Sequence, residues 1–156
     1  ALIDASMPRR MPGTHAYRWE SQQRGESVYL IAWRDGVPVG HLEVRWAGTA
    51  RREVARLLSG VPILSDIQVH PDWQSRGIGS KLMEEAERLI AERTYARVGL
   101  SVATDNPRAR VLYERRGYRD AGLGNYQSTW LYLDVAGQEK WRDETCVYLV
   151  KELERK

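Results

Sequence analysis

Two kinds of hydrophobic pattern run along this chain and predict its secondary structure. Apolar, β-rich runs at residues 28–33 and 37–46 flank Asp35-Gly36, a dipeptide that favours a tight hairpin because such a turn needs positive φ. Further β-rich runs occupy residues 63–69, 98–102, 118–123, 129–135 and 145–153. The pattern predicts a strand in each of these stretches.

A helical period dominates the middle of the chain. Apolar residues recur there at helical spacing, with charged residues on the opposite face: Leu82, Met83, Ala86, Leu89 and Ile90. This stripe predicts a helix over about 77–93. Asn106-Pro107 supplies a capping residue followed by proline, and Gly117 supplies a stop, so a second helix is predicted over about 107–116.

The order of the elements predicts the fold class. A polar helix is predicted over residues 14–24 with Thr14 as its N-cap, and a short helix over residues 51–58. Strands cluster early and late, and strand and helix alternate between them. We therefore predict one α+β domain over residues 1–156, with a mixed α/β sheet flanked by helices.

Composition narrows the class of protein. The 156 residues are 42% hydrophobic and 29% charged, which is ordinary for a globular domain. The net charge of +3 is small and scattered, and it suits an anionic small molecule at least as well as nucleic acid. No apolar stretch approaches the ~18 residues of a membrane span. We therefore expect no nucleic-acid partner and no membrane partner.

Cysteine and histidine usage excludes two further kinds of chemistry. Cys146 is the only cysteine, so an intramolecular disulfide cannot form, and we expect a cytoplasmic protein with Cys146 in its core. His15, His41 and His70 lie in unrelated elements without the spacing of metal ligands, so no metal is expected.

Residues 74–79, Gln-Ser-Arg-Gly-Ile-Gly, separate the predicted strand at 63–69 from the predicted long helix. Gly77 and Gly79 lack a Cβ, so a ligand can approach the main chain, and the helix adds unpaired N–H groups and the positive end of its dipole. The run is neither a P-loop nor a dinucleotide-binding fingerprint, since Leu82 stands where the latter needs glycine. The expected ligand is a diphosphate held by the backbone.

The second helix carries a second motif. Asn106 and Tyr113 are seven residues apart and share a helix face, about 10 Å apart, with the small Ala109 between them. A thin ligand can run along this face, although a plain N-cap and a core aromatic are the alternatives for the two residues. The densest basic cluster also lies here and is either a solvated face or phosphate-facing: Arg108, Arg110, Arg115 and Arg116.

The two motifs together, Gln-x-x-Gly-x-Gly after a strand and Asn-x-x-Ala-x-x-x-Tyr before Gly-Tyr, resemble the GNAT superfamily of acyl-CoA-dependent N-acyltransferases. The match covers residues 27–120, with its core at 63–118. The resemblance implies a mostly antiparallel, splayed sheet. It also implies a coenzyme A site built from Ile67, Gln68, Val69, Gln74, Ser75, Arg76, Gly77, Ile78, Gly79, Ser80, Asn106, Ala109 and Tyr113.

The activity implied by the resemblance is direct transfer of an acetyl group from acetyl-CoA to a primary amine in a ternary complex. The acceptor would be a small molecule or a peptide. Tyr113 would protonate the departing thiolate. The general base is left open between Asp66, Glu43 and a water relay. A non-catalytic acyl-CoA-binding or regulatory domain is the alternative.

The acceptor itself is not identified by the sequence. Aromatic residues of the flanking segments either wall an acceptor site or fill the core of a chain without Phe, and we favour the core: Trp19, Trp33, Trp46, Tyr126, Trp130, Tyr132 and Trp141. Residues 124–153 form the C-terminal strands, in which residues 124–145 are predicted to be a hairpin that shapes the acceptor site or a homodimer contact.

Overall fold

The computed structural model describes residues 2–9, 11–48, 58 and 60–154. The short helix predicted over residues 51–58 lies almost wholly outside the described residues. The elements are α1 (Leu2–Ser6), α2 (Thr14–Gln23), β1 (Ser27–Arg34), β2 (Val37–Arg45), β3 (Ile63–Val69), a 3₁₀ turn (Pro71–Trp73), α3 (Ile78–Glu92), β4 (Arg97–Ala103), α4 (Pro107–Arg115), β5 (Arg119–Leu133) and β6 (Glu139–Glu152).

The strands form one mixed sheet in the order β1-β2-β3-β4-β6-β5. Neighbouring strands are antiparallel, except for β3 and β4, which run parallel. Parallel strands need a crossover connection, and α3 lies in the one between β3 and β4. The predicted class, a mostly antiparallel mixed sheet flanked by helices, is confirmed.

α3 buries its predicted apolar stripe against one face of the sheet. Met83, Ala86 and Ile90 are fully buried and belong to one cluster with Leu42 of β2 and Leu100 of β4. Burial of a large aliphatic side chain stabilises the fold by roughly 1.5–3 kcal/mol. The stripe therefore fixes α3, and with α3 it fixes the loop that precedes this helix.

α2 lies on the other face of the sheet. His41 and Glu43 of β2 alternate with residues of the α3-side core, so their side chains point to the opposite face. Arg18 of α2 donates to Glu43 at 2.9 Å, and His15 of α2 lies 2.6 Å from the Tyr29 hydroxyl of β1. A buried polar cluster therefore separates α2 from the sheet.

Of two local predictions, the hairpin turn is confirmed and the N-cap of α2 is not. The Asp35-Gly36 hairpin is confirmed, with φ of 50° and 76° at its two residues. The prediction of Thr14 as N-cap is wrong. Gly13 is the N-cap, with φ of 82°, and the Thr14 hydroxyl instead donates backwards to the Met11 carbonyl at 2.6 Å.

The C-terminal strands are longer than predicted. The two strands predicted at 118–123 and 129–135 are one strand, β5, whose pairing with β6 is irregular between Asp120 and Asn125. Gly122 and Gly124 take positive φ in that stretch, which lets the chain bulge without ending the strand. The early residues of β6, 139–145, pair with β5 alone and form a two-stranded arm.

The aromatic residues divide between core and surface. Trp46 is buried and stacks on Tyr95, as the core interpretation predicts. That interpretation is wrong for three tryptophans that are more than half exposed: Trp19, Trp33 and Trp141. Tyr118 and Tyr148 are almost completely buried and take the place of Phe in the interior. Cys146 is buried, as predicted.

Candidate active site

β3 and β4 separate towards their carboxyl ends. Ile63 pairs with Gly99 and Leu64 with Leu100, and the parallel pairing stops there although both strands continue. The main chain of β3 beyond Leu64 therefore has no strand partner on the β4 side. The sheet is splayed at this point, as the family resemblance implies.

A cleft of about 790 Å³ opens where the strands part. This volume lies within the range of pockets that bind small-molecule ligands and cofactors. The lining comes from the end of β3, the following loop, the first turn of α3 and one side of α4: Ile67, Gln68, Val69, Trp73, Gln74, Ser75, Gly77, Ile78, Gly79, Ser80, Asn106, Arg108, Ala109, Val111, Leu112, Tyr113 and Arg115. The structure thus brings together every predicted coenzyme-binding residue except Arg76.

The loop presents main-chain amides to the cleft. Gly77 is the N-cap of α3, with φ of 82°, and no side chain caps the helix. A residue with a Cβ would be strained at Gly77 because of this φ. At Gly79 a Cβ would meet Val69 only at an ordinary 3.8 Å, so this glycine is not required for packing. The first turn of α3 is therefore an uncapped helix N-terminus that can receive an anion.

α4 forms the opposite wall. The Asn106 side chain accepts from the Ala109 amide at 3.2 Å, so it caps the helix as predicted. The Tyr113 ring packs edge-on against Tyr118, with 6.3 Å between ring centroids. The Tyr113 hydroxyl is protonated at neutral pH, as tyrosine ordinarily is, and burial raises its pKa further.

Arg76 does not line the cleft. Its guanidinium lies over the Trp73 ring, 4.8 Å from the ring centroid, and the guanidinium of Arg34 lies 5.2 Å from the same centroid. Cation–π attraction holds this side chain on the indole of Trp73. A coenzyme contact of Arg76 through its main chain, as the family resemblance implies, stays a prediction.

Sequence reasoning did not single out Trp73, Val111 or Leu112, and it left open whether Arg108 and Arg115 face a ligand. Arg108, Val111 and Arg115 line the cleft, and so do Leu112 and Trp73. The spacing i, i+3, i+7 of Arg108, Val111 and Arg115 was visible in the sequence and marks one helix face.

The predicted basic cluster splits into two pairs. Arg110 donates to Glu114 at 2.8 Å, and Arg116 donates to Glu87 at 3.1 Å. Arg108 and Arg115 face the cleft instead, and Arg108 donates to the Ser75 hydroxyl across it at 2.7 Å. Two of the four arginines thus add positive charge to the cleft, and two are structural.

The candidate bases lie outside the cleft lining. Glu43 is buried on the α2 face, where it accepts from Arg18 at 2.9 Å and from the Ser65 hydroxyl at 3.1 Å. The Asp66 carboxylate is 5% exposed and lies 2.6 Å from the Arg9 guanidinium. The structure therefore does not bring either carboxylate into contact with Tyr113.

Two histidines belong to the same polar cluster. The His41 ring donates from Nδ1 to the Asp66 carbonyl at 2.9 Å, and burial lowers the pKa of His41 to about 4, although the Asp66 charge acts in the other direction. His15 Nε2 donates to the Met7 carbonyl at 2.6 Å. Among the described residues, no group of three or more His, Cys, Asp or Glu is arranged to hold a metal ion.

None of the helices in the described ranges has the length and apolar character that crossing a bilayer requires.

Comparison with known proteins agrees with this geometry. The profile of the acetyltransferase (GNAT) family matches residues 2–118. The chain is 44% identical over 55 residues to mycothiol acetyltransferase of Clavibacter sepedonicus, a match over 35% of this chain and 18% of that protein. It is 29% identical over 107 residues to an uncharacterized N-acetyltransferase of Methanocaldococcus jannaschii, over 67% of this chain and 44% of that protein.

A solved structure has the same fold. The PaiA N-acetyltransferase of Thermoplasma acidophilum, in complex with coenzyme A, superposes with a TM-score of 0.58 at 16% identity, over 86% of this chain and 65% of that one. The chain spans less than half of the length of the two curated relatives. The match over residues 2–118 shows that this chain belongs to the GNAT acetyltransferase family, and the splayed sheet and the uncapped N-terminus of α3 agree with it.

Proposed function

We propose that this chain is an acetyl-CoA-dependent N-acetyltransferase, which transfers the acetyl group directly to a primary amine within a ternary complex. The cleft carries the proposal. The uncapped N-terminus of α3 can bind the diphosphate of coenzyme A through main-chain N–H groups. The unpaired edge of β3 can form backbone hydrogen bonds with the amides of the pantetheine arm of the coenzyme.

Each wall has a defined part in this proposal. The loop residues from Gln74 to Ser80 hold the diphosphate through main-chain amides, and Ile67, Gln68 and Val69 pair with pantetheine through the backbone. The side-chain amide of Gln74 donates to the Val69 carbonyl at 3.1 Å. This contact keeps the carbonyl satisfied and anchors the loop to β3. Asn106 and Ala109 flank the pantetheine arm from α4.

The proposed chemistry needs an acid for the leaving group. A thiol has a pKa of about 8.5, so expulsion of the thiolate is assisted by a nearby proton donor. Tyr113 lines the cleft, and its phenol is protonated at neutral pH because the ordinary pKa of tyrosine is already about 10. We assign it the role of general acid. A main-chain amide of the splayed β3 edge supplies the oxyanion contact.

The attacking amine must lose a proton, and three routes to a base stay open in this proposal. Asp66 is next to Ile67 of the cleft but is ion-paired with Arg9. Glu43 is ion-paired with Arg18. A water relay from the amine to either carboxylate is the third route. All three place the base on the α2 side of the sheet, opposite to α3.

The acceptor is proposed to be the primary amine of a small molecule or a peptide. One of the relatives is named mycothiol acetyltransferase, after a small molecule. In this proposal the two-stranded arm extends the acceptor surface, because Tyr126 of β5, next to the arm, contacts the Ser101 hydroxyl of β4, one of the two strands that separate. The arm is also the proposed contact of a homodimer.

The test is release of free thiol from acetyl-CoA in the presence of a panel of amino acids, polyamines, aminoglycosides and N-terminal peptides. We expect release that depends on one class of amine. Tyr113→Phe should lower kcat by at least about tenfold, because general acid catalysis contributes 10² to 10⁴ in rate, and should leave the affinity for coenzyme A close to that of the wild type.

The matched control is Tyr17→Phe, which removes an exposed hydroxyl on α2 and should change nothing. Binding of coenzyme A without thiol release for any amine would favour the non-catalytic acyl-CoA-binding domain instead. Release at an unchanged rate in Tyr113→Phe would remove this tyrosine from the mechanism.

A further inference from the structure

β3 contains a strained bulge at the point where the cleft begins. Asp66 has φ of 54°, which is rare for a residue with a side chain in a strand. The register of β2 and β3 shifts there: His41 pairs with Gln68, whereas Glu43 pairs with Ser65. One residue of β2, Leu42, thus lies opposite two of β3, Asp66 and Ile67, which is the count of a β-bulge.

The bulge stands between the paired and the open part of β3. The last residue of β3 that pairs with β4 is Leu64, and the first that lines the cleft is Ile67. The conformation of the bulge therefore sets the orientation of the main-chain N–H and C=O groups from Ile67 to Val69. A strained conformation of this kind persists only where surrounding contacts hold it.

Three side chains hold Asp66. Arg9 contributes the short contact, at 2.6 Å from one carboxylate oxygen, and the Arg18 guanidinium lies 3.8 Å from the other. His41 donates to the Asp66 carbonyl at 2.9 Å. Arg18 is shared with Glu43, so Arg9 is the partner that Asp66 does not share with a second carboxylate among the described ion pairs.

The segment that carries Arg9 is itself fixed. Met7 is buried, and its carbonyl accepts from His15 of α2 at 2.6 Å. His15 in turn contacts the Tyr29 hydroxyl at 2.6 Å. The stretch before α2 is thus tied to α2 and β1, and it carries Arg9 to the bulge as an anchored group rather than as a loose surface chain.

We propose that Arg9 is a positioning residue: acting through Asp66, it holds the bulge of β3 in the conformation that presents the cleft edge to the thioester. The inference rests on the proposed acetyltransferase function. It assigns Arg9 no contact with substrate.

Arg9→Gln removes the charge and keeps most of the length. We expect kcat to fall by about tenfold to a hundredfold, because a displacement of reacting groups on the order of 1 Å has an effect of this size. The Kd for coenzyme A should change less than about threefold, because the loop and α3 stay in place. Arg9→Lys keeps the charge and should restore most of the rate. Arg24→Gln removes another arginine near α2, whose ion pair within the described part of the chain is with the exposed Glu26, and is the control expected to match the wild type.

A double mutant and an exchange measurement separate positioning from other causes. If Arg9 acts through Asp66, Arg9→Gln combined with Asp66→Asn is no slower than the slower single variant. Hydrogen exchange should accelerate for the amides of residues 65–69 in Arg9→Gln and stay unchanged in α3. This readout needs no turnover, so it also decides the inference if no amine acceptor is found.

Wild-type kcat in Arg9→Gln together with unchanged exchange at residues 65–69 would overturn the inference and leave the proposed function intact. Additive losses in the double mutant, or an equal loss in Arg24→Gln, would overturn it as well.

Discussion

At the scale of single residues, the buried polar cluster under the cleft matters as much as the residues that line it. The side chains of His41, Asp66 and Glu43 are nearly excluded from solvent and contact one another or the arginines of the N-terminal segment, while His41 Nε2 and Asp66 Oδ2 have no hydrogen-bond partner among the described residues. Removal of one member leaves the others buried without a partner, which costs more than the lost contact is worth. Variants in this cluster therefore need stability and activity measured together.

The charge state of His41 predicts how stability depends on pH. Burial lowers the pKa of folded His41 to about 4, whereas its ordinary value is 6.5. Between these values the unfolded chain binds a proton that the folded chain does not, so stability falls as pH falls through this window. We expect His41 to contribute a loss of about 2 kcal/mol between pH 7 and pH 5.

Urea unfolding of the wild type and of His41→Gln, at pH 7 and pH 5, measures this contribution. The variant is expected to be less stable at both values, since it loses a buried packing residue, but to lose less stability on acidification. An equal loss in both proteins would show that His41 does not titrate in this way.

At the scale of elements, α3 links the loop at residues 74–77, at one end of the cleft, to the rest of the fold. Glu87 on this helix accepts from Arg116 at 3.1 Å, from the Tyr118 hydroxyl at 3.1 Å and from Lys151 of β6 at 2.6 Å. The carboxylate thus joins α3 to the end of α4 and to the sheet. The junction therefore helps to fix the relative position of the two walls of the cleft.

Glu87→Gln keeps the shape of the junction and removes its charge. We expect a loss of about 1–3 kcal/mol in the free energy of unfolding, at the lower end of values for buried ion pairs because Arg116 and Lys151 are partly exposed. Chemical denaturation checks this value. Glu85→Gln on the same helix removes an exposed pair with Arg88 and should leave the free energy of unfolding close to that of the wild type. Equal effects of the two substitutions would contradict the assignment.

At the scale of the whole molecule, the sequence predicted those helices, turns and caps that are determined by residues close together in the chain. The amphipathic stripe of α3, the Asp35-Gly36 hairpin and the cap at Asn106 each lie within a few residues of the signal that predicts them. The family motifs then identified the residues around the cleft, because the loop and α4 form from contiguous stretches.

Features set by distant contacts could not be predicted in this way. The bulge at Asp66 depends on Arg9, which is far away in the sequence, and the orientation of Arg76 depends on the Trp73 ring. β5 continues through Gly122 and Gly124 because β6 pairs with it on both sides of the irregular stretch. The surface positions of Trp19, Trp33 and Trp141 likewise depend on which faces of the sheet and helices are covered.

The central claim of this account is that main-chain amides at the start of α3 hold the diphosphate of coenzyme A. Gly77 is required there by its φ of 82°, whereas Gly137, with φ of 77°, lies in the turn between β5 and β6 outside the cleft lining. Gly77→Val should therefore distort the loop and abolish binding, and Gly137→Val offers a matched backbone control at a distance from the cleft.

Calorimetric titration of acetyl-CoA into the wild type and both variants tests the claim most directly. The account predicts saturable heat in the wild type, competition by desulfo-coenzyme A, unchanged affinity in Gly137→Val and at least about a tenfold weaker affinity in Gly77→Val, since a loss of about 1.4 kcal/mol is tenfold. No heat in the wild type, or equal affinity in Gly77→Val, would contradict it.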